Sequence, residues 1–225
     1  MSHLAAPLLN TRLVALSPSS SGWRTRIVVL SSLCALSLLS GVFLWDLALA
    51  DYFHAHRGVA YRIAEVVSWA GQAGWYLVPS AAMWWMSRRL HWPLLRRLSA
   101  FFFLSVAASV LATDVLKVIF GRARPWVWFS DSVYGFHPMN FKAAFQSFPS
   151  GHATTALAVA FALSVIFPKG RTVFLIGGTL VALSRVFVYA HFLSDVIAGA
   201  LVAYVTVRVI THYQFADLRR ASRIN

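Results

Sequence analysis

Two histidines stand where polar sequence gives way to strongly apolar sequence: His152 in Pro149-Ser150-Gly151-His152, and His191 in Ser184-Arg185-x5-His191-x3-Asp195. His191 and Asp195 are four apart, so on a helix they share one face. A carboxylate so placed can keep one ring nitrogen protonated and leave the other bare and nucleophilic. Ser150 and Gly151 read as the start of a helix, where unpaired N–H groups and the helix dipole favour an anion. Gly151 lets a ligand come close to the backbone, and His152 adds a titratable proton at the first turn.

A third cluster, Lys117-x6-Arg124-Pro125, supplies a compact charge and a planar fork matched to phosphoryl oxygens. Pro125 stops any continuing helix and fixes how Arg124 leaves it. Each cluster alone has an ordinary explanation, as a headgroup anchor, a capped helix or a polar packing contact. Together with Arg185 they describe a phosphoryl-transfer site. A histidine metal centre is the rival. Three basic residues would repel a cation and the chain holds only seven acidic residues, so no metal is expected. The single cysteine, Cys34, excludes an intrachain disulfide and a cysteine-cluster metal site.

These residues need a scaffold, and composition indicates which. Of the 225 residues 59% are hydrophobic and 12% charged, about half the charged fraction of a soluble domain. The apolar residues gather into runs close to the roughly 20 residues that cross a bilayer. The expectation is an all-α polytopic membrane protein with six spanning helices, at about 27–47, 66–87, 98–119, 152–168, 172–190 and 193–210. Residues 1–25 read as a flexible leader, 26–211 as the membrane domain with a loop over 120–150, and 212–225 as a tail. Residues 51–62 read either as a short amphipathic surface helix or as a loop.

The formal charge of +13 does not point to nucleic acid, because the basic residues mostly sit at the ends of apolar segments. Most of the 20 Lys and Arg fall in segments sharing the side of the termini. The other side holds Arg57, Arg62, Lys117, Arg122, Arg124, Lys142 and Arg185. The positive-inside rule then places both termini in the cytoplasm and the 120–150 loop outside. All three clusters fall at the outward ends of helices 3 to 6.

The three motifs, with their spacing, resemble those of the type 2 phosphatidic acid phosphatase (PAP2) superfamily over about residues 98–210. The resemblance implies a PAP2-like helical bundle and metal-independent hydrolysis of a lipid phosphate monoester or pyrophosphate through a phosphohistidine, with no cofactor. His191 corresponds to the nucleophile, Asp195 to its orienting carboxylate, and His152 to the general acid. Lys117, Arg124 and Arg185, with Ser150 and Gly151, correspond to the phosphate clamp. Arg122 lies outside the strict motif and reads as support for the site or for a headgroup. Asp114, one turn before Lys117, is expected to pair with Lys117 or Arg124, or to make a plain polar contact between helices.

The strongly apolar, basic composition and the short loops suggest a bacterial inner membrane with a periplasmic active site, and vanadate is expected to inhibit by mimicking pentavalent phosphorus. The substrates of the family include phosphatidic acid, phosphatidylglycerol phosphate, undecaprenyl pyrophosphate and lipid A 1-phosphate. The motif residues read only the phosphoryl group, so they do not choose among these. A phosphotransferase passing phosphate from a lipid pyrophosphate to a lipid acceptor would use the same histidine chemistry. The aromatic residues Trp126, Trp128, Phe129, Tyr134, Phe136, Phe141 and Phe145 are expected either at the headgroup level or lining the entrance for a lipid chain.

Overall fold

The computed structural model describes residues 22–221. Most of the leader expected over 1–25, and the last four residues of the expected tail, lie outside these. The chain divides after Leu33. Of the first unit, the described residues form the beginning of helix α1 (Gly22–Ser40). The second unit, Cys34–Asn225, carries every candidate residue.

The described residues are helical throughout their regular structure, as expected. Boundaries differ where the sequence held no strong stop. After α1 a single π-helical turn, Gly41–Trp45, leads directly into α2 (Asp46–Ala55). No proline or capping residue ends the first apolar run at 47, so the helix continues. The segment 51–62 is therefore neither one surface helix nor one loop. It is shared between α2, a break at His56–Gly58, and α3 (Val59–Ser68). The helix expected over 66–87 is also interrupted. A 3-10 turn at Trp69–Gly71 separates α3 from α4 (Gly74–Arg89), in a stretch where two glycines weaken the helix.

The third run forms α5 (Pro93–Phe120), with Pro93 in its first turn, where the missing N–H costs nothing. Helix α6 (Pro125–Asp131) sits inside the expected loop. Helix α7 (Gly151–Ile166) stops before Pro168, as the restriction on a pre-proline residue requires. Helix α8 (Arg171–Phe187) and α9 (Leu193–Ala221) complete the chain, α9 running on into the segment expected as a tail. Among the described residues, three helical stretches are long and apolar enough to cross a membrane: Pro93–Phe120, Pro168–Phe187 and Leu193–Gln214. Thr25–Leu38 and Gly151–Ile166 are apolar but shorter.

Helix α7 is the axis of the second unit. Ala153 through Ala160 are all buried, and α7 packs on α5, α8 and α9. Small residues allow this. A methyl group on Gly178 would meet Ala160 Cβ at 2.7 Å, and one on Gly199 would meet Thr154 Oγ1 at 2.9 Å. Without water to drive apolar contact, close backbone approach and dispersion hold such helices together. This packing brings the first turn of α7 against the start of α9, where Ser150 N–H donates to Asp195 O at 3.0 Å.

Candidate functional site

Four residues after α5 determine where two of the arginines go. Gly121 ends α5 in the left-handed conformation, φ 57°, its N–H donating to Lys117 O at 2.8 Å. A Cβ there would stand 1.8 Å from the carbonyl oxygen of His137, so only glycine fits. The chain then runs between two stretches of the following loop. On one side Gly121 O accepts from His137 N–H at 2.8 Å, and Ala123 N–H donates to Gly135 O at 3.0 Å. On the other side Arg124 N–H donates to Ala144 O at 2.9 Å, and Ser147 N–H donates to Arg122 O at 3.0 Å. Arg122 and Arg124 thus leave a backbone tied on both edges, and their side chains go to different places.

Arg122 is fully buried and supports no headgroup. Its Nη1 donates to Asp195 Oδ1 and to Ser194 Oγ, both at 2.6 Å. Its Nη2 donates to Asp46 Oδ2 at 2.7 Å and to the Tyr134 hydroxyl at 3.1 Å. The rings of Phe192, Phe136 and Tyr134 stand 4.5, 5.3 and 5.5 Å from the guanidinium carbon. Burial opposes the charge, but Asp195 and Asp46 more than offset it and hold Arg122 above the ordinary arginine range. Asp46 in turn accepts from Ser194 N–H at 3.0 Å and from the Ser194 hydroxyl, capping α9 from a distant part of the chain.

His191 lies in the turn between α8 and α9, buried. Its Nδ1 is 2.8 Å from the backbone carbonyl oxygen of Ser147. A carbonyl only accepts, so Nδ1 carries the proton and Nε2 is bare. Asp195 was expected to hold this nitrogen, yet its Oδ2 lies 3.7 Å away. The Ser147 hydroxyl stands between them, donating to Asp195 Oδ2 at 2.6 Å. The Asp195 carboxylate also accepts from Phe192 N–H at 2.8 Å, which fixes the turn carrying His191. Burial pushes the His191 imidazole down to about 4, against the opposing pull of Asp195.

The remaining cations converge on the start of α7. Lys117 Nζ lies against Gly151, 2.9 Å from where a Cβ would stand. Asp114 is half exposed and pairs with Lys117 Nζ at 3.0 Å, one of the two pairings expected for it. Arg124 Nε donates to Ala143 O at 3.0 Å, and burial lowers its charged form's hold on the proton. Arg185 donates through Nη1 to the Ser68 hydroxyl, and its buried Nε has no protein acceptor among the described residues. His152 lies within electrostatic reach of Arg185, His191, Lys117 and Arg124. Ser150 is fully buried and caps α7, accepting from Ala153 N–H at 3.5 Å. The N–H groups of Gly151 and His152, first in the helix, have no intrahelical acceptor.

An open cavity of about 290 Å³ adjoins this cluster, with His152 and Arg185 on one wall and α3 on the other. A methyl group on Gly71 would meet His152 Cβ at 2.8 Å, so the 3-10 turn after α3 touches the histidine. The aromatic residues of the 120–150 loop divide their work. Tyr134 and Phe136 surround Arg122, Trp128 donates to Asp51 at 3.3 Å, and Phe129 stacks on His54. Trp126 and Phe141 are exposed.

Sequence reasoning missed Asp46, Ser68, Ser147 and Ser194, and placed Tyr134 among the loop aromatics without its hydroxyl's tie to Arg122. Asp46 was detectable as an acidic residue inside an apolar run, which is costly unless paired. The hydroxyl residues carry no such signal.

Residues 98–219 match the model of the PAP2 superfamily. The lipid A 1-phosphatase of Rhizobium etli is 36% identical over 137 residues, covering 61% of this chain and 57% of that protein. That of Rhizobium johnstonii is 36% identical over 129 residues, covering 57% and 51%. The chain therefore matches little more than half the length of these relatives. The crystal structure of a transmembrane PAP2 type phosphatidylglycerolphosphate phosphatase from Bacillus subtilis has the same fold, with a TM-score of 0.59 at 23% identity over 83% of this chain and 94% of that one. The matched family segment takes in both histidines and all three cations gathered at the start of α7, and on that ground the chain belongs to the PAP2 superfamily.

Proposed function

We propose that the protein hydrolyses a phosphate ester of a membrane lipid, without a metal, through a phosphohistidine on His191. The observation that carries this reading is the meeting of Lys117, Arg124, Arg185, His152 and His191 at one helix start. The bare Nε2 of His191 attacks phosphorus, and the bond from phosphorus to the lipid oxygen breaks. His152 gives that oxygen a proton, so the lipid leaves as an alcohol or as a lipid phosphate. His152 then takes a proton from water as the water attacks the phosphohistidine, and phosphate is released. Lys117, Arg124, Arg185 and the Gly151 N–H neutralise the equatorial oxygens as charge develops, the place a metal would otherwise take. Ser150 holds the end of α7 in position for this.

The chain crosses the membrane six times in this reading. The crossings are the α1–α2 run, α4, α5, α7, α8 and α9. Both termini are cytoplasmic and the site opens on the periplasmic face of a bacterial inner membrane. The distribution of Lys and Arg supports that orientation. The names of the Rhizobium relatives make lipid A 1-phosphate the first substrate to assay, ahead of phosphatidic acid, phosphatidylglycerol phosphate and undecaprenyl pyrophosphate.

Phosphate release by the purified protein in detergent, with EDTA present, tests the reading. Release should occur with one lipid class, be blocked by vanadate, and be lost in His191→Ala and His152→Ala. Activity that needs a divalent metal would overturn the mechanism. Turnover only with an added lipid acceptor would make the protein a phosphotransferase.

A further inference from the structure

Helix α3 lies outside the segment matched to the family, yet it forms one wall of the cavity beside the reacting residues. Tyr61, Glu65 and Ser68 line that wall at helical spacing, joined by Gln72 from just past the 3-10 turn, facing His152 and Arg185 across it. His191 is not among the cavity's lining residues. An in-line displacement puts the attacking Nε2 and the leaving lipid oxygen on opposite sides of phosphorus. A space bordered by His152 and not by His191 is therefore on the leaving-group side.

We propose that this face of α3 is the leaving-group subsite, and that it selects a lipid whose phosphate is esterified to a hydroxyl-bearing sugar ring. The proposal rests on the lipid phosphatase reading above. At about 290 Å³ the cavity is at the small end of ligand pockets, so it takes a head group and leaves acyl chains to the membrane. Its chemistry separates the candidate head groups. Glu65 is exposed in the cavity and has no ion-pair partner among the described residues. Beside a phosphate clamp a bare carboxylate repels the phosphoryl oxygens, and it helps only if the substrate brings hydrogen-bond donors to it. Sugar hydroxyls do so, and the Gln72 amide can both donate to and accept from their neighbours. The leaving groups of phosphatidic acid and of a polyprenyl diphosphate have no such donors, and that of phosphatidylglycerol phosphate offers one flexible glycerol hydroxyl, where a sugar ring presents its donors at fixed positions.

The test compares wild type, Glu65→Gln and Gln72→Ala on three probes in the same micelles: lipid A bearing its 1-phosphate, dioleoyl phosphatidic acid and undecaprenyl diphosphate. Wild type should prefer the sugar phosphate. Each substitution should lower kcat/KM on it about tenfold, mostly through KM, as expected for one lost hydrogen bond to a charged or polar partner. On phosphatidic acid Glu65→Gln should raise kcat/KM, because a repelling charge is gone. A parallel fall on all probes would reduce α3 to a structural element and overturn the proposal. So would unchanged kinetics on the sugar phosphate in both variants. Phosphate release by wild type from phosphatidic acid or the diphosphate alone would refute the subsite and leave the phosphatase reading standing. Release from none of the three would refute both.

Discussion

The Nδ1 of His191 is held by the backbone carbonyl of Ser147, at 2.8 Å, and not by the carboxylate of Asp195. A backbone acceptor cannot be removed by a side-chain substitution, so the tautomer that leaves Nε2 bare survives changes at Asp195. Asp195 works through the Ser147 hydroxyl and the Phe192 N–H, which fix the position of the ring.

Asp195→Asn should therefore reduce kcat by about 10- to 100-fold, the cost of about 1.4 to 2.7 kcal/mol of lost positioning, while His191→Ala should abolish turnover. Single-turnover phosphate release with a radiolabelled lipid separates the two. Equal losses would mean that Asp195, not the carbonyl, sets the tautomer.

The depressed pKa of His191 has a consequence for stability. Between its ordinary value near 6.5 and its native value of about 4, the unfolded chain binds a proton that the native protein refuses. Stability should fall as pH drops through that window and be unaffected by this group above it. Thermal unfolding in detergent from pH 7 to pH 4 should show a smaller decline for His191→Gln than for wild type.

Arg122 is fully buried between Asp46 and Asp195. Arg122→Ala strands two carboxylates and should destabilise by about 3–5 kcal/mol, or prevent folding. Arg122→Lys keeps the charge but cannot span both partners, and should lose less. Adding Asp46→Asn to Arg122→Ala should recover part of the loss, because one stranded charge is removed. Unfolding temperatures of wild type, Asp46→Asn, Arg122→Ala and the double variant measure that coupling.

Gly71 touches His152 from the turn after α3, and its substitution tests whether that turn sets the histidine's place. A methyl group at Gly71 lies 2.8 Å from His152 Cβ, close enough to displace it. Gly71→Ala should lower kcat about tenfold or more with a small change in unfolding temperature, since reaction rates fall steeply with misplacement of a reacting group. An unchanged kcat would show that His152 moves without consequence.

Asp114 should matter little to stability. Its pair with Lys117 is half exposed, and such pairs contribute about 0–1 kcal/mol. Asp114→Asn should leave the unfolding temperature near that of wild type, whereas Lys117→Ala should raise KM for any lipid phosphate.

The sequence by itself determined the helical class, the family resemblance and the principal candidate residues, because these are carried by local patterns. Apolar runs mark helices, Pro125 marks a stop, and Ser150-Gly151-His152 marks a helix start. The relation of Asp114 to Lys117 was also legible, being one helical turn. What only the tertiary structure decided involves residues far apart in the chain. Asp46 reaches Arg122 across 76 positions and Ser147 reaches Asp195 across 48, and no spacing rule connects them. The same holds for α3, whose polar face meets His152 and Arg185 only because α3 packs on α8 and the glycine turn that follows lets the backbone come close. Arg122 and Arg124, two residues apart, have separate fates because the loop ties their shared backbone from both edges. Periodicity locates a residue on its own helix, but the partner that satisfies its charge is chosen by the packing of helices against one another.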